Sequence, residues 1–177
     1  SRILNQVIET EYDVVVAGYG PVGETCANLL GYYGIKALIL DKEKNAYPLP
    51  RAITWDAECQ RAMSHCEFLS EVKTRKIRGV DNKDANKKSI MKITMEGFDT
   101  YNYQHRILFI HQPQFDEAHR ENAEKYPTNS IKTGSELLAV DEINGVVNCT
   151  YKNIETNEQF KVTSKYLLAC DGANSTV

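Results

Sequence analysis

Apolar residues first gather at Tyr12-Asp13-Val14-Val15-Val16-Ala17, a short β-branched run that stops at Gly18. A run of this kind predicts a strand buried in a parallel sheet. The period then changes: Val22, Cys26, Leu29, Leu30 and Tyr33 recur at i, i+4, i+7, i+8 and i+11. That spacing lines one face of a helix, the apolar stripe of an amphipathic element. Gly34 stands where a helix C-terminal cap belongs. Ala37-Leu38-Ile39-Leu40 forms a second apolar run, closed by Asp41. Strand, helix and strand in about thirty residues make a βαβ unit.

Tyr47-Pro48-Leu49-Pro50-Arg51 fits neither a helix nor a central strand, because two prolines remove donors and fix φ. A helical segment is expected from about Asp56 to Leu69, with Cys59, Met63 and Cys66 on one packed face. Strands follow at Ile90–Met95, Phe98–Tyr103 and Ile107–Ile110. Pro113 then opens a helix, one residue inside its start as proline prefers, and the helix ends near Tyr126-Pro127. The rest reads as a meander. Leu137–Ile143 and Val146–Tyr151 flank Asn144-Gly145, a strong short hairpin signal. Gln159–Thr163 adds a third strand, and Tyr166-Leu167-Leu168-Ala169-Cys170 a separate apolar run ending at Asp171-Gly172.

Composition removes several classes of function. The 177 residues can hold one domain with a real core. A net charge of −3 leaves no broad basic field for nucleic acid or anionic lipid. The basic clusters Lys73–Arg78 and Lys87–Lys88 read as solvated faces. Five cysteines, odd in number and without a C-x-x-C pair, argue for reduced thiols in a cytoplasmic protein rather than a disulfide framework. The four histidines share no metal-ligand spacing. No stretch approaches the roughly 20 apolar residues that span a bilayer, so stable membrane insertion is not expected. The first residues carry neither an initiator Met nor a signal-like run, which suggests processing or trimming.

The chemistry lies in Gly18-Tyr19-Gly20-Pro21-Val22-Gly23. Gly18 permits a tight turn out of the strand, Gly20 lets the backbone approach a pyrophosphate, and Gly23 lets helix and strand pack closely. The helix N-terminus, with Pro21 and Val22 in its first turn, faces the phosphate charge. An acidic residue, Asp41, ends the next strand, where a carboxylate can accept from ribose hydroxyls; Lys42 follows it. Its charge favours a ribose without a 2′-phosphate. These features point to a dinucleotide.

An ordinary NAD dehydrogenase would continue with alternating strands and helices. This chain instead runs through Tyr47-Pro48-Leu49-Pro50-Arg51-Ala52, then strands, Gln112-Pro113-Gln114, and Tyr166–Ser175, which reads YLLACDGANS. In that order it resembles the flavoprotein aromatic hydroxylases, the single-component FAD monooxygenases of 4-hydroxybenzoate hydroxylase type. Within them it looks most like the 3-(3-hydroxyphenyl)propionate hydroxylase branch, over the front part of a family member. The resemblance implies an α/β fold: a Rossmann-like FAD-binding βαβ unit with a parallel sheet, plus an antiparallel β-meander. It implies an incomplete FAD-binding domain from 1–77 and 105–177, with 78–104 giving the first strands of a substrate-binding sheet.

Carried over by position, Gly18, Gly20 and Gly23 would line the FAD pyrophosphate and Asp41 would hold the adenosine ribose. Arg51 would pair with phosphate oxygens near the flavin, Gln112 would hydrogen-bond the FAD, and Leu137 would meet the adenine through its backbone. Asp171, with Gly172, would serve pyrophosphate binding and the approach of the pyridine nucleotide. The chain departs from the family pattern at two places: Asp41 replaces a more usual glutamate, and Ala118-His119 stand where larger apolar groups usually pack. The implied reaction hydroxylates a small phenolic substrate with NADH or NADPH and O₂. No residue present is a credible general base, so no catalytic residue is assigned; a homo-oligomer is compatible. Two alternatives stay open: a non-catalytic dinucleotide-binding fragment, or a related flavoprotein such as an epoxidase, prenyl reductase or halogenase.

Overall fold

The computed structural model describes residues 10–66, 72–95 and 107–177. They fall into two compact units, one formed by Ser1–Tyr47 with Asp116–Val177 and the other by Pro48–Phe115. The strand expected at Phe98–Tyr103 lies outside the described residues, as does the end of the helix expected to reach Leu69.

The first unit is built on one six-stranded sheet in the order β8-β2-β1-β11-β10-β9. Strand β1 (Thr10–Ala17) runs parallel to β2 (Ala37–Asp41), joined to it by helix α1 (Pro21–Tyr32). Strand β8 (Asn129–Thr133) extends the parallel set on the far side of β2. It escapes a sequence reading because Ile131 is its one apolar residue. At the sheet edge, pairing with β2 makes it a strand without an apolar pattern of its own.

Strands β9 (Ser135–Ile143), β10 (Val146–Asn153) and β11 (Gln159–Ala169) form the meander. Asn144 and Gly145 both adopt positive φ, 55° and 77°, as a two-residue hairpin turn requires. One expectation is corrected here. Gln159–Thr163 and Tyr166–Cys170 are not two strands; a single strand runs through Ser164-Lys165. Its first half pairs antiparallel with β10 and its second half parallel with β1. Ser164 looks like a turn residue, but it is buried and its hydroxyl donates to the Tyr166 carbonyl at 3.0 Å. The long strand welds the meander to the parallel sheet.

Helix α1 also corrects its sequence pattern. It ends as expected at Gly34 (φ 70°), with Gly34 N donating to Gly31 O and Ile35 N to Leu30 O. The apolar stripe is buried only in part: Cys26 and Leu30 pack against the core, whereas Val22 and Tyr33 are each 64% exposed. The buried residues are Gly23, Glu24, Ala27, Asn28 and Gly31. Gly23, Ala27 and Gly31 are small at every fourth position, which allows close approach. A Cβ on Gly31 would come within 2.4 Å of the Tyr126 ring. Close backbone approach, with Cys26 and Leu30 packed beside it, sets how this helix docks.

In the second unit a three-stranded sheet has the order β3-β7-β4, from β3 (Thr54–Asp56), β4 (Arg75–Lys76) and β7 (Ile107–Phe109). Strands β5 (Gly79–Lys83) and β6 (Ser89–Thr94) form a separate hairpin. Helix α2 is shorter than expected, Ala57–Ala62, and is started by Asp56, whose carboxylate accepts from Cys59 N at 2.8 Å. Met63 and Cys66, past the end of the helix, are buried, whereas Cys59 within it is exposed, so the three do not share one packed helical face. Helix α3 spans Gln112–Glu124, with Pro113 one residue inside it.

Candidate dinucleotide-binding site

The turn between β1 and α1 is shaped by its glycines. Gly18 N donates to Leu40 O at 2.7 Å, and its φ of 97° lies in the region closed to most side chains. A Cβ there would sit 2.3 Å from the Cys170 carbonyl oxygen, and one on Gly23 would sit 2.0 Å from Gly18 O. Gly20 is different: a Cβ on it would meet nothing within 4 Å. It precedes α1 as an N-cap without a side-chain bond, and Pro21 occupies the first helical position. The first-turn donors of Val22 and Gly23 therefore have no intrahelical acceptor, and the positive end of the helix dipole stands behind them. Open space at Gly20 beside backbone donors fits a pyrophosphate.

Asp41 closes β2 next to this turn. Its Oδ2 accepts from Tyr19 N at 2.6 Å and its Oδ1 from Glu43 N at 2.7 Å. The carboxylate thus ties the phosphate turn to the second strand. Each oxygen keeps a further lone pair with which a ribose hydroxyl could be bound. Lys42 beside it is exposed. Asp171 follows β11 and starts a short 3-10 turn at Gly172–Asn174. Its Oδ1 accepts from Ser175 Oγ and its Oδ2 from Thr176 N, both at 2.6 Å. Burial would raise the Asp171 carboxyl, but these bonds outweigh it and hold it below the ordinary carboxylate range. Gly172 takes a φ of 79° with open space where its side chain would be.

Gly18–Gly23, Asp41 and Asp171 therefore meet at the carboxyl ends of β1, β2 and β11. Cys170 N bonds Ala17 O at 2.7 Å, which locks the ends of β1 and β11 together. Ligands of open α/β sheets bind at this edge. Leu137 is placed differently: its side chain lies in the apolar core with Val15, Leu38 and Tyr151, leaving only its β9 backbone for any ligand.

In the second unit, Gln112 opens α3 and is buried. Its Oε1 accepts from both Arg51 N and Ala52 N at 2.7 Å. The glutamine therefore shapes the loop that displays the exposed Arg51.

A polar network between α1 and α3 went unseen in the sequence. Asn28 Nδ2 donates to His119 O at 2.9 Å, and Asn122 Nδ2 donates to Asn28 Oδ1 at 2.6 Å. Arg120 Nε donates to Glu24 Oε1 at 2.7 Å, and its Nη2 donates to the Tyr19 carbonyl. Burial pushes the Glu24 carboxyl up to about 8, against the lowering effect of Arg120 and with Asp116 and Asp41 adding to the rise. Glu24 Oε2 meets no donor among the described residues. Read from sequence, Glu24, Asn28 and Arg120 resemble a solvated helix face. The available signal was the Gly23-Ala27-Gly31 spacing, which marks close approach beside them. His119, a departure from the family pattern, is buried, and the helix docks through these polar bonds.

Among the described residues no helix is long and apolar enough to cross a membrane, and no cluster of three or more His, Cys, Asp or Glu could hold a metal ion. All five cysteines are free thiols.

Residues 11–177 match the family described as FAD binding domain. A 3-(3-hydroxy-phenyl)propionate/3-hydroxycinnamic acid hydroxylase of Comamonas testosteroni is 29% identical over 175 residues, covering 98% of this chain and 29% of the enzyme. The protein of the same name from Escherichia coli O8 is 30% identical over 179 residues, covering 98% and 31%. The chain thus spans under a third of the length of these relatives. Among solved structures, p-nitrophenol 4-monooxygenase from Pseudomonas putida superposes with a TM-score of 0.83 at 24% identity, over 96% of this chain and 43% of that one, a likeness of fold. An anhydrotetracycline hydroxylase from Streptomyces rimosus gives 0.74 at 25% identity, over 95% and 33%. With the glycine turn, the acid closing β2 and the edge they share, the match over nearly every residue places the chain in the FAD binding domain family.

Proposed function

We propose that this chain is the FAD-binding part of a flavin-dependent aromatic hydroxylase. The observation that supports it most is the Gly20 position: open space beside unpaired first-turn donors, inside a turn otherwise closed by backbone contacts. In this reading the FAD pyrophosphate lies against Gly18–Gly23, and Asp41 accepts from the adenosine ribose. Asp171 and Gly172 serve the pyrophosphate side, and Lys42 and the Leu137 backbone serve the adenosine side. Arg51 offers a guanidinium to phosphate oxygens, presented by a loop that Gln112 orders. The relatives' names suggest a small phenolic acid as substrate. Redox chemistry belongs to the bound FAD, with NADH or NADPH as reductant and O₂ as oxidant. The chain's own residues bind, orient and restrain; none of those described is assigned a catalytic role.

Titration of the purified protein with FAD tests the binding half. Saturable quenching of flavin fluorescence, competed by ADP, is expected; binding of NAD but not FAD would overturn it. The reaction is tested by NAD(P)H consumption with a phenolic acid. Matched O₂ uptake and hydroxylated product are expected, and NAD(P)H oxidation without O₂ uptake would sink the hydroxylase reading.

A further inference from the structure

Four consecutive restraints act on the phosphate turn. Gly18 N is held by Leu40 O at 2.7 Å, Tyr19 N by Asp41 Oδ2 at 2.6 Å, and Gly20 O by Glu24 N at 2.8 Å. The fourth comes from outside the βαβ unit: Arg120, on α3, donates to the Tyr19 carbonyl. The Tyr19 residue is thus gripped at both ends, by a carboxylate on its N–H and a guanidinium on its C=O. The same guanidinium lies 4.6 Å over the Tyr19 ring and bonds Glu24 Oε1 at 2.7 Å. Tyr19 and Glu24 are each 1% exposed and the Arg120 side chain 15%, so water competes little for these contacts.

We propose that Arg120 is a positioning residue for the dinucleotide turn, bracing the Tyr19 carbonyl and the first turn of α1 so that Gly20 stays open to a pyrophosphate. The inference deepens the FAD reading and rests on it for its ligand. Arginine suits the task because one planar fork serves a carbonyl, a carboxyl and an aromatic face together, whereas a lysine is a single point donor. Glu24 gives the guanidinium a second anchor. Without it, Arg120 would hold the carbonyl through one flexible arm.

The test compares Arg120→Lys, Arg120→Ala and Asn122→Ala in the full chain. Asn122→Ala loosens the same α1–α3 contact without touching the turn. FAD affinity by fluorescence quenching should fall about tenfold or more in Arg120→Lys, and further in Arg120→Ala. In Asn122→Ala it should stay within about twofold of the parent, even where its Tm falls as much. Affinity that merely follows Tm across all three variants would overturn the proposal, as would parent-like affinity in Arg120→Lys. Amide exchange in the ligand-free protein provides a readout that does not depend on FAD. The Tyr19 and Gly20 amides should exchange at least about tenfold faster in Arg120→Lys, with Val15 and Val16 unchanged. Unchanged Tyr19 exchange would sink the brace. A parent that fails to bind FAD would instead sink the cofactor reading, leaving the exchange result to decide the brace.

Discussion

On one face of the six-stranded sheet, Val15, Ala17, Leu38 and Leu40 meet Leu137, Cys149, Tyr151 and Val162 in an apolar cluster. On the other, Val14, Val16, Ala37 and Ile39 pack with Tyr19, Ala27 and Ala123, and the covering helices are tied by Glu24, Asn28, Arg120 and Asn122. The two faces teach different lessons about specification. Apolar burial is non-directional and tolerates small slides between surfaces. A buried polar bond tolerates little, because an unmade one leaves a desolvated group at a cost of about 1–3 kcal/mol. The face that carries the phosphate turn is the one held by direction, as a site needs if backbone donors are to stay aimed.

Substitutions can break this contrast. Gly23→Ala should have the largest combined effect on fold and binding, costing on the order of 3 kcal/mol of stability because its Cβ would press to 2.0 Å from a backbone oxygen that cannot swing away. FAD retention should be lost with it. Gly20→Ala, in open space, should leave the melting temperature nearly unchanged and weaken FAD binding alone. Equal stability losses at the two glycines, in parallel melting and FAD titrations, would erase the distinction between packing and cradle.

On the apolar face, Leu38→Ala should cost about 2–5 kcal/mol in denaturant unfolding. At temperatures where the variant is folded, its FAD affinity should match the parent. Asn28→Ala should cost less, about 1–3 kcal/mol, by removing the 2.6 Å acceptor of the Asn122 amide and the 2.9 Å side-chain donor to the His119 carbonyl. Asn28→Leu, which restores bulk but not the bonds, should not recover that loss. Recovery would show that the helix face is apolar in effect after all.

The smallest effect is a pH slope. The Glu24 carboxyl is raised to about 8 from an ordinary 4.5, chiefly by burial, so the folded protein binds this proton more tightly than the unfolded chain. Its contribution to stability is therefore fully present below pH 4.5 and is lost as pH rises through about 8. Glu24→Gln should flatten that part of a stability-against-pH curve measured by urea unfolding. An unchanged slope would mean that Arg120 keeps the carboxylate ionised.

Much of the site was legible because its chemistry is local. Gly18-Tyr19-Gly20-Pro21-Val22-Gly23 sits between an apolar run and a helix pattern, and backbone sterics alone demand glycine at its first and third glycine positions. The Asn144-Gly145 turn and the Gly34 cap were legible for the same reason, since positive φ is a property of single residues. Less visible was the second task of each acid. Asp41 and Asp171 are spent partly on backbone N–H groups nearby, as Gln112 is on Arg51 and Ala52, and local sequence does not say which acceptor meets which donor.

By itself the sequence determined the βαβ unit, its glycine turn, the hairpin and the acid at the end of each neighbouring strand. These depend on period, on φ and on chain order. Tertiary structure decided that Gly23, Ala27 and Gly31 face inward with only part of the apolar stripe beside them, that Asn129–Thr133 is a strand, and that Gln159–Ala169 is one strand and not two. It also decided that Arg120 reaches the turn 101 residues away. Burial and pairing are properties of what lies opposite. A solvated helix face and a buried polar one are written in the same letters until the partner is in place.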